Sequence, residues 1–498
     1  MRHAKKDPES PATSTEQYDA MLPSWVKIQT VLDGTEAMRA AETAYLPKHD
    51  KESDDSYRER LARCTLLNMT KLTLEAWVGR PFSEPIQFKE DMPAEIVELT
   101  ENIDTLGNNV QVFARDWFRE GMAKAFSHVL VDMPRLGERA DGRPRSLEDD
   151  RVDGVRPYWV HIKPEQLFFA DAEVIGGEEV LTEIRYIEHT KRREGFAIHE
   201  IPLIKRMYLM DGAVQVEIYE EVKDKRHKNR WKRVDGWTME INRIPLVTFY
   251  ADRCGLMEGT PPLLDLADLN IAHWQSTSDQ RAILTIARFP ILACSGGTDE
   301  DNKLVVGPNQ WLYTPDPSGK FYYVEHSGKA IQSGLDDLLE LQRQMGEYGS
   351  EWLKKRPNRE TAAARVLDTA EATSALQDAT LRFQDALENV LALTAAWLGQ
   401  GDGGSVTVHS SWSTPPATPD GLRILTEARK NRDISREAFI GELKRAKVLD
   451  EDFDAEEDGA LLESELMDMF PMPMQEQEED DDGSPVDEDD QSAEADQR

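Results

Sequence analysis

The sequence predicts an α+β fold on three observations. Residues 333–398 carry two long helical periodicities. Residues 158–250 hold a series of alternating segments rich in β-branched and aromatic side chains. Residues 291–326 read as short strands and turns set between two helices. That order of helix, compact β insert and helix says most about topology.

The stretch Ser333–Gly399 organises the rest. A helix is expected over Ser333–Trp352, followed by a charged break, Lys354-Lys355-Arg356-Pro357-Asn358-Arg359. A second helix is expected over Glu360–Leu398, which contains no proline or glycine. Within it Val366, Ala370, Thr373, Leu376, Thr380, Phe383, Leu387, Leu391, Thr394 and Leu398 recur at steps of three and four, forming one stripe. At ~1.5 Å per residue this rod would be on the order of 55–60 Å long, so it needs a large surface to lie against.

In chain order, residues 1–20 are polar and expected to be disordered. Trp25–Ala44 suggests a short helix. Ser53–Val78 reads as one helix, stopped by Gly79-Arg80-Pro81. Ile86–Phe88 suggests a strand, and Asn108–Lys124 a helix leading into a strand at Ser127–Asp132. After a charged loop, strands are expected at Tyr158–Ile162, Leu181–Glu188, Lys205–Leu209, Val214–Glu221, Arg233–Ile241 and Leu246–Tyr250. Met210-Asp211-Gly212-Ala213 is a hairpin turn signal. Pro261 and Pro262 fit the first turn of a helix that Pro290 ends. The β insert supplies Ile291–Cys294, Leu304–Val306, Gln310–Tyr313 and Phe321–Glu325. Beyond the rod come a strand at Ser405–Ser411 and helices at Thr418–Asn431 and Ser435–Lys447, with Ser435 as N-cap. Disorder is expected from about Pro471.

The chain has 498 residues, 39% of them apolar, enough for several domains or one elaborate body. Its formal net charge is −35. From Gln475 onward there are twelve acids and one arginine, a net −11 that leaves −24 on the body. An acidic body does not grip nucleic acid over most of its surface. It still suits DNA as a passenger, because a like-charged wall repels phosphate. Cys64, Cys254 and Cys294 lie far apart, which argues against a disulfide framework or zinc site and suits a reducing compartment. No apolar run is long enough to span a membrane, and the N-terminus lacks the apolar core of a secretory signal. A glycine-rich phosphate loop, HExxH and a nucleophile elbow are all absent, so no enzymatic activity, cofactor or metal is expected.

Five blocks occur in order: AYLPKHDKESDDSYRERLARCTLLNMT, TLEAWVGRPFSEP, RPYWVHIKPEQLFFA, GTPPLLDLADLNIAHWQSTSD and RETAAARVLDTAEATSALQDAT. On them the chain resembles the portal proteins of tailed bacteriophages, over roughly residues 40–465. None of the blocks is a catalytic signature; their order carries the resemblance. It implies a portal-type fold. Residues 1–39 would be an N-terminal arm, 40–255 an α+β wing, 256–289 the first stem helix and 290–328 the clip. Residues 329–352 would be the second stem helix, 353–361 the tunnel loop, 362–401 the long wing helix, 402–470 a helical crown and 471–498 an acidic disordered tail.

The resemblance further implies a head-to-tail connector ring, dodecameric in the family, at one capsid vertex of a virion assembled in the host cytoplasm. Double-stranded DNA would pass through it during packaging and ejection. Terminase, a tail adaptor, and the major capsid and scaffold proteins would be partners. The clip would dock partners through Thr298, Asp299, Glu300, Asp301, Lys303, Asp316 and Lys320. The tunnel loop would touch DNA phosphates through Lys354, Lys355, Arg356, Asn358 and Arg359. This loop is strongly basic and carries Pro357, and family loops vary in both respects.

Each feature also has a plainer reading. Cations after a helix C-terminus are favoured by its dipole without any DNA. The basic run Lys223–Arg233 reads as a solvated hairpin tip, or as a contact with capsid, scaffold or nucleic acid. Asp265, Asp268 and Asp279 sit at helical spacing on a charged face; a metal-dependent nuclease or nucleotidyltransferase built on such acids is the alternative function, and another virion assembly or adaptor protein a third. Trp274 and Trp397 read as packing residues.

Overall fold

The computed structural model describes residues 7–134, 154–222, 230–239, 241–288, 291–295, 316–324, 328–351, 374–410, 419–445, 448–449, 453–455 and 458–462. The fold is α+β, as the sequence predicts. Contacts divide the chain into two units, Met1–Ser410 and Ser411–Arg498.

In the first unit the helices are α1 (Glu16–Asp33), α2 (Thr35–Ala40), α3 (Asp54–Arg63), α4 (Met69–Gly79), α5 (Ala94–Leu99), α6 (Val110–Lys124), α7 (Leu264–Ala287), α8 (Lys329–Glu351) and α9 (Ala375–Leu398). A three-stranded antiparallel sheet has β2 (Phe126–Asp132) at its centre, between β3 (Tyr158–Ile162) and β9 (Leu246–Tyr250). Every residue of β2 is buried. Helices α6 and α9 enclose it, and Trp117, Phe118, Phe249 and Phe383 interlock there. Phe118 stacks on Phe249 at 5.4 Å, and Phe383 meets Trp117 and Phe249 edge-on at 5.0 Å each. Such pairs add ~0.5–1.5 kcal/mol beyond the area they bury. Gly121 makes room for the cluster, because a Cβ there would come within 2.4 Å of the Phe249 ring.

A second sheet is a five-stranded antiparallel meander: β4 (Leu167–Ile175), β5 (Glu178–Glu194), β6 (Ala197–Met210), β7 (Ala213–Val222) and β8 (Arg230–Met239). Asp211 and Gly212 turn β6 into β7 with φ of 52° and 77°, the pair of positive values a type I′ turn needs. The two sheets share a core that includes Leu130, Ile162, Ile184, Met207 and Val216. A buried ion pair also joins them, with Lys205 Nζ on β6 2.7 Å from Asp132 Oδ2. Strands β1 (Gln87–Phe88) and β12 (Val406–Thr407) pair antiparallel and bring the end of this unit back against its first third.

Several elements differ from the sequence expectation. Helix α1 starts at Glu16, inside the stretch expected to be disordered. Thr15 caps it by accepting from Tyr18 N, and Tyr18 packs edge-on against Trp25 at 5.7 Å. The single helix expected over Ser53–Val78 is two helices, because Cys64 turns extended and Asn68 caps a fresh start by accepting from Lys71 N. Strand β4 was not expected, and β5 and β6 run well past their expected ends. The rod is the largest correction. Ser374 has extended backbone, φ −80° and ψ 157°, and its hydroxyl accepts from Gln377 N. Helix α9 therefore begins at Ala375 and is about 36 Å long at ~1.5 Å per residue. Residues 360–373 lie outside the described residues. From Leu376 onward the expected stripe is correct, with Leu376, Thr380, Phe383, Leu387, Leu391 and Thr394 all buried.

The second unit holds two helices, α10 (Pro419–Lys430) and α11 (Arg436–Arg445). Ser435 caps α11 by accepting from Ala438 N at 3.0 Å, as its position in the sequence suggests.

Candidate functional site

The candidate site is the helix pair α7–α8 together with the β hairpin between them in sequence. Its root is polar and buried. Asn270 is fully buried on α7, as are Leu266 and Trp274 of the same helix. It accepts from Thr70 and donates from Nδ2 to Leu67 O at 2.8 Å, which clamps α7 to the start of α4. Arg60 makes a second clamp. It binds Glu52 at 2.9 Å, Pro47 O at 2.8 Å and Ser278 Oγ at 3.2 Å. Hydrogen bonding from Arg60 holds the Glu52 carboxyl well down, to about 2. A cavity of about 340 Å³ opens beside this group, lined by Arg63, Cys64, Arg281 and Thr285 among others. Burial pushes the Cys64 thiol up to about 11, so it stays protonated.

Helix α8 runs antiparallel to α7, and four contacts fix the register. Tyr348 OH donates to Pro262 O at 2.9 Å, and Gln342 Nε2 lies 3.1 Å from His273 Nε2. Ser276 Oγ donates to Asp337 Oδ2 at 2.6 Å, and Gln280 Nε2 donates to Ile331 O at 2.8 Å. Burial lowers the pKa of His273, which suits a neutral ring. Trp77 Nε1 donates to Gly349 O at 3.0 Å, fixing the end of α8 to α4.

At the other end of the pair, β10 (Ile291–Ser295) and β11 (Lys320–Val324) form an antiparallel hairpin, Ile291 opposite Val324 and Ser295 opposite Lys320. Asp316 precedes it in a turn, accepting from Ser318 N at 2.8 Å and Ser318 Oγ at 2.7 Å. Those bonds hold its carboxyl below the usual range.

One property of α8 separates it from the other long helices. Its apolar side chains fall on one face, yet Met345 is its one buried residue. Leu335 and Leu339 are 44% and 54% exposed. A helix is held mainly by packing its apolar face. Leu335 and Leu339, at the edge of that face, are about half in water in the single chain.

Of the residues expected to dock partners, Lys320 lies on this hairpin and Asp316 in the turn before β11. Thr298, Asp299, Glu300, Asp301 and Lys303 lie outside the described residues. So do all five tunnel-loop residues, Lys354, Lys355, Arg356, Asn358 and Arg359. The basic run expected at a hairpin tip is flanked by β7 and β8, Val222 opposite Arg230, with 223–229 outside the described residues. The acids of α7 point to different partners. Asp268 pairs with Lys27 at 2.7 Å, and Asp279 with His49 at 3.3 Å and Arg60 at 3.8 Å. Among the described residues no group of three or more His, Cys, Asp or Glu is placed to hold a metal ion, and no helix is long and apolar enough to cross a membrane. Trp274 is fully buried, and Trp397 Nε1 donates to Val131 O at 3.2 Å.

Sequence reasoning missed the Asn270 and Arg60 clamps, because Thr70 lies 200 residues from Asn270 and Ser278 lies 218 from Arg60. The signal for Asn270 was present: one amide in an otherwise apolar stripe.

Residues 262–398 match a family model described as "Domain of unknown function (DUF4055)". The sequence has no match among curated proteins. Similar solved structures include chains from three structures of gene transfer agent particles. One, described as "Virion of native gene transfer agent (GTA) particle", is 12% identical and covers 80% of this chain and 90% of that one, with a TM-score of 0.36. A second, "Neck of empty GTA particle computed with C6 symmetry", is 12% identical over 79% and 88%, TM-score 0.36. A third, "Neck of native GTA particle computed with C12 symmetry", is 11% identical over 76% and 89%, TM-score 0.36.

Proposed function

We propose that this chain is a structural component of a virion's head-to-tail region, and specifically a portal: a ring at one capsid vertex through which double-stranded DNA is packaged and ejected. The single observation that carries this reading is the α7–α8 pair. It is an antiparallel two-helix stalk, rooted by buried polar clamps at one end and ending in a β hairpin at the other. Its outer helix keeps Leu335 and Leu339 exposed. Neighbouring copies in a closed ring would cover that stripe, since a head-to-tail interface that closes gives each copy the surface it lacks alone. The block resemblance in the sequence supports the same reading and supplies the copy number of twelve.

The mechanism is geometric and electrostatic. The acidic body would keep DNA from adhering to the channel wall. A ring of basic loops at 353–361 would make phosphate contacts that carry no sequence information. The hairpin end would meet terminase during packaging and a tail adaptor afterwards. ATP hydrolysis would belong to the terminase.

Sedimentation velocity on the purified full-length chain tests this. Twelve copies of the 56.5 kDa chain give a species of about 650–700 kDa. A chain that stays at 56.5 kDa at micromolar concentration contradicts the reading.

A further inference from the structure

Helix α8 is fixed at one end and loosely held along the rest. Its last turn is anchored, with Tyr348 OH on Pro262 O and Trp77 Nε1 on Gly349 O. From Lys329 to Gln344 none of its residues is buried. Ile331, Leu338 and Leu341 are partly covered, and Leu335 and Leu339 are about half in water. Helix α7 beneath it is held differently. Leu266, Ala267, Asn270 and Trp274 are fully buried, and Thr70, Arg60 and Tyr45 O fasten α7 to the body.

Two features work against the closed position of α8. The first is Gln280 of α7. Its Nε2 donates to Ile331 O, but its Oε1 is buried with no hydrogen-bond partner. That oxygen lies under α8 at Gly334, where a Cβ would come within 2.1 Å of it. A buried acceptor left unpaired carries its full desolvation cost, and lifting α8 returns it to water.

The second is Gly346. Close approach explains the other two glycines of α8: Gly334 meets Gln280, and a Cβ on Gly349 would come within 2.8 Å of Thr73 Oγ1. A Cβ on Gly346 would meet nothing within 4 Å. Packing does not ask for glycine there, and glycine inside a helix is less favourable than alanine. Gly346 stands where the loosely held stretch meets the anchored turn.

We infer that α8 is a hinged strap: residues 329–344 swing off α7 about Gly346, while α7 and the last turn of α8 stay on the body. Hinges are a few positions that absorb the backbone rotation. An element with few buried apolar contacts is the one that opens locally. The hinge belongs to the single chain. Its use rests on the ring reading: a strap free to move settles against the next copy as a ring closes.

Thiol labelling of the full-length chain tests this. His273 of α7 is 4% exposed and lies under Gln342 of α8. Cys64 is also buried, with Sγ on Trp274 O where α3 meets α7. His273→Cys is made in a Cys254→Ser, Cys294→Ser background. Maleimide labelling of the two remaining thiols is followed by mass spectrometry on the 56.5 kDa species. The His273→Cys thiol should label at least tenfold faster than Cys64. Adding Gly346→Ala should slow it about fivefold and leave Cys64 unchanged, because alanine favours the helical backbone that the open state gives up. Equal rates at the two thiols overturn the inference, and so does a rate that Gly346→Ala leaves unchanged. Where His273→Cys does not fold, hydrogen exchange of amides 346–350 replaces it, since opening breaks the helical bonds across the hinge. Gly346→Ala in the parent chain should slow that exchange about fivefold, and an unchanged rate overturns the inference. Sedimentation of the parent decides the ring reading separately.

Discussion

Asn270 Oδ1 accepts two hydrogen bonds from Thr70, from the backbone nitrogen at 3.1 Å and from Oγ1 at 3.0 Å. Both residues are fully buried. The pair fastens α7 to the first turn of α4.

Replacing Asn270 by leucine leaves Thr70 N–H and Thr70 O–H buried and unpaired, while Leu67 C=O keeps its bond from Met69 N. Each such group costs about 1–3 kcal/mol, so a total loss of roughly 2 kcal/mol or more is expected. Denaturant unfolding followed by tryptophan fluorescence reads it as a lower midpoint. A midpoint equal to the parent's contradicts the clamp.

Acid should weaken the sheet core through two buried histidines. His128 is buried beside Thr248 Oγ1 at 2.9 Å, and His161 lies 2.7 Å from Ser127 Oγ. Burial lowers both imidazoles, to about 3 and about 4, with the nearby His161 adding to the effect on His128. The unfolded chain takes up protons near the ordinary value of ~6.5, while the folded chain does not. Stability from these two groups is therefore complete above pH 6.5 and falls as pH drops toward 4, by up to ~1.4 kcal/mol per pH unit for each. Thermal melts from pH 7 to pH 4.5 should show a falling midpoint, and His161→Gln should flatten the fall. Equal slopes in parent and variant rule this out.

The sequence was legible where one local rule governs. The Asp211-Gly212 turn, the Ser435 cap and the stripe from Leu376 to Thr394 each depend on residues a few positions apart. The rod was misread for a local reason as well. Ser374 and Gln377 form an S-x-x-Q capping signal, and the alanines around it masked the break. The ribbon of β5 and β6 was illegible because polar, alternating residues such as Lys191 and Arg193 do not reveal that a strand continues into solvent. The root of the candidate site was illegible because Arg60 and Ser278, or Asn270 and Thr70, meet only through tertiary structure.

The break at Ser374 can be tested directly. Ser374→Ala removes the cap on Gln377 N and should cost ~1 kcal/mol. Ser374→Gly should cost only a few tenths. The ratio of the two, read from denaturation midpoints, distinguishes a cap from an interior helical position, where glycine is the worse residue.

The exposed stripe on α8 separates folding from assembly. Leu335→Glu with Leu339→Lys alters two exposed side chains that are about half in water, so the fold should change by no more than ~0.5 kcal/mol per site. Assembly should drop from the ring species to the 56.5 kDa chain in sedimentation. A ring that survives the double substitution places this face outside the interface.

The basic break tests the passage of DNA. Alanine at Lys354, Lys355, Arg356 and Arg359 should leave rings intact and reduce packaged DNA, in yield or in length. Unchanged packaging assigns these cations to their helix end alone.

Electron micrographs of the purified full-length chain bear most directly on the whole account. Averaged images should show rings pierced by a central hole wide enough for a DNA duplex. Compact, unpierced particles would contradict it.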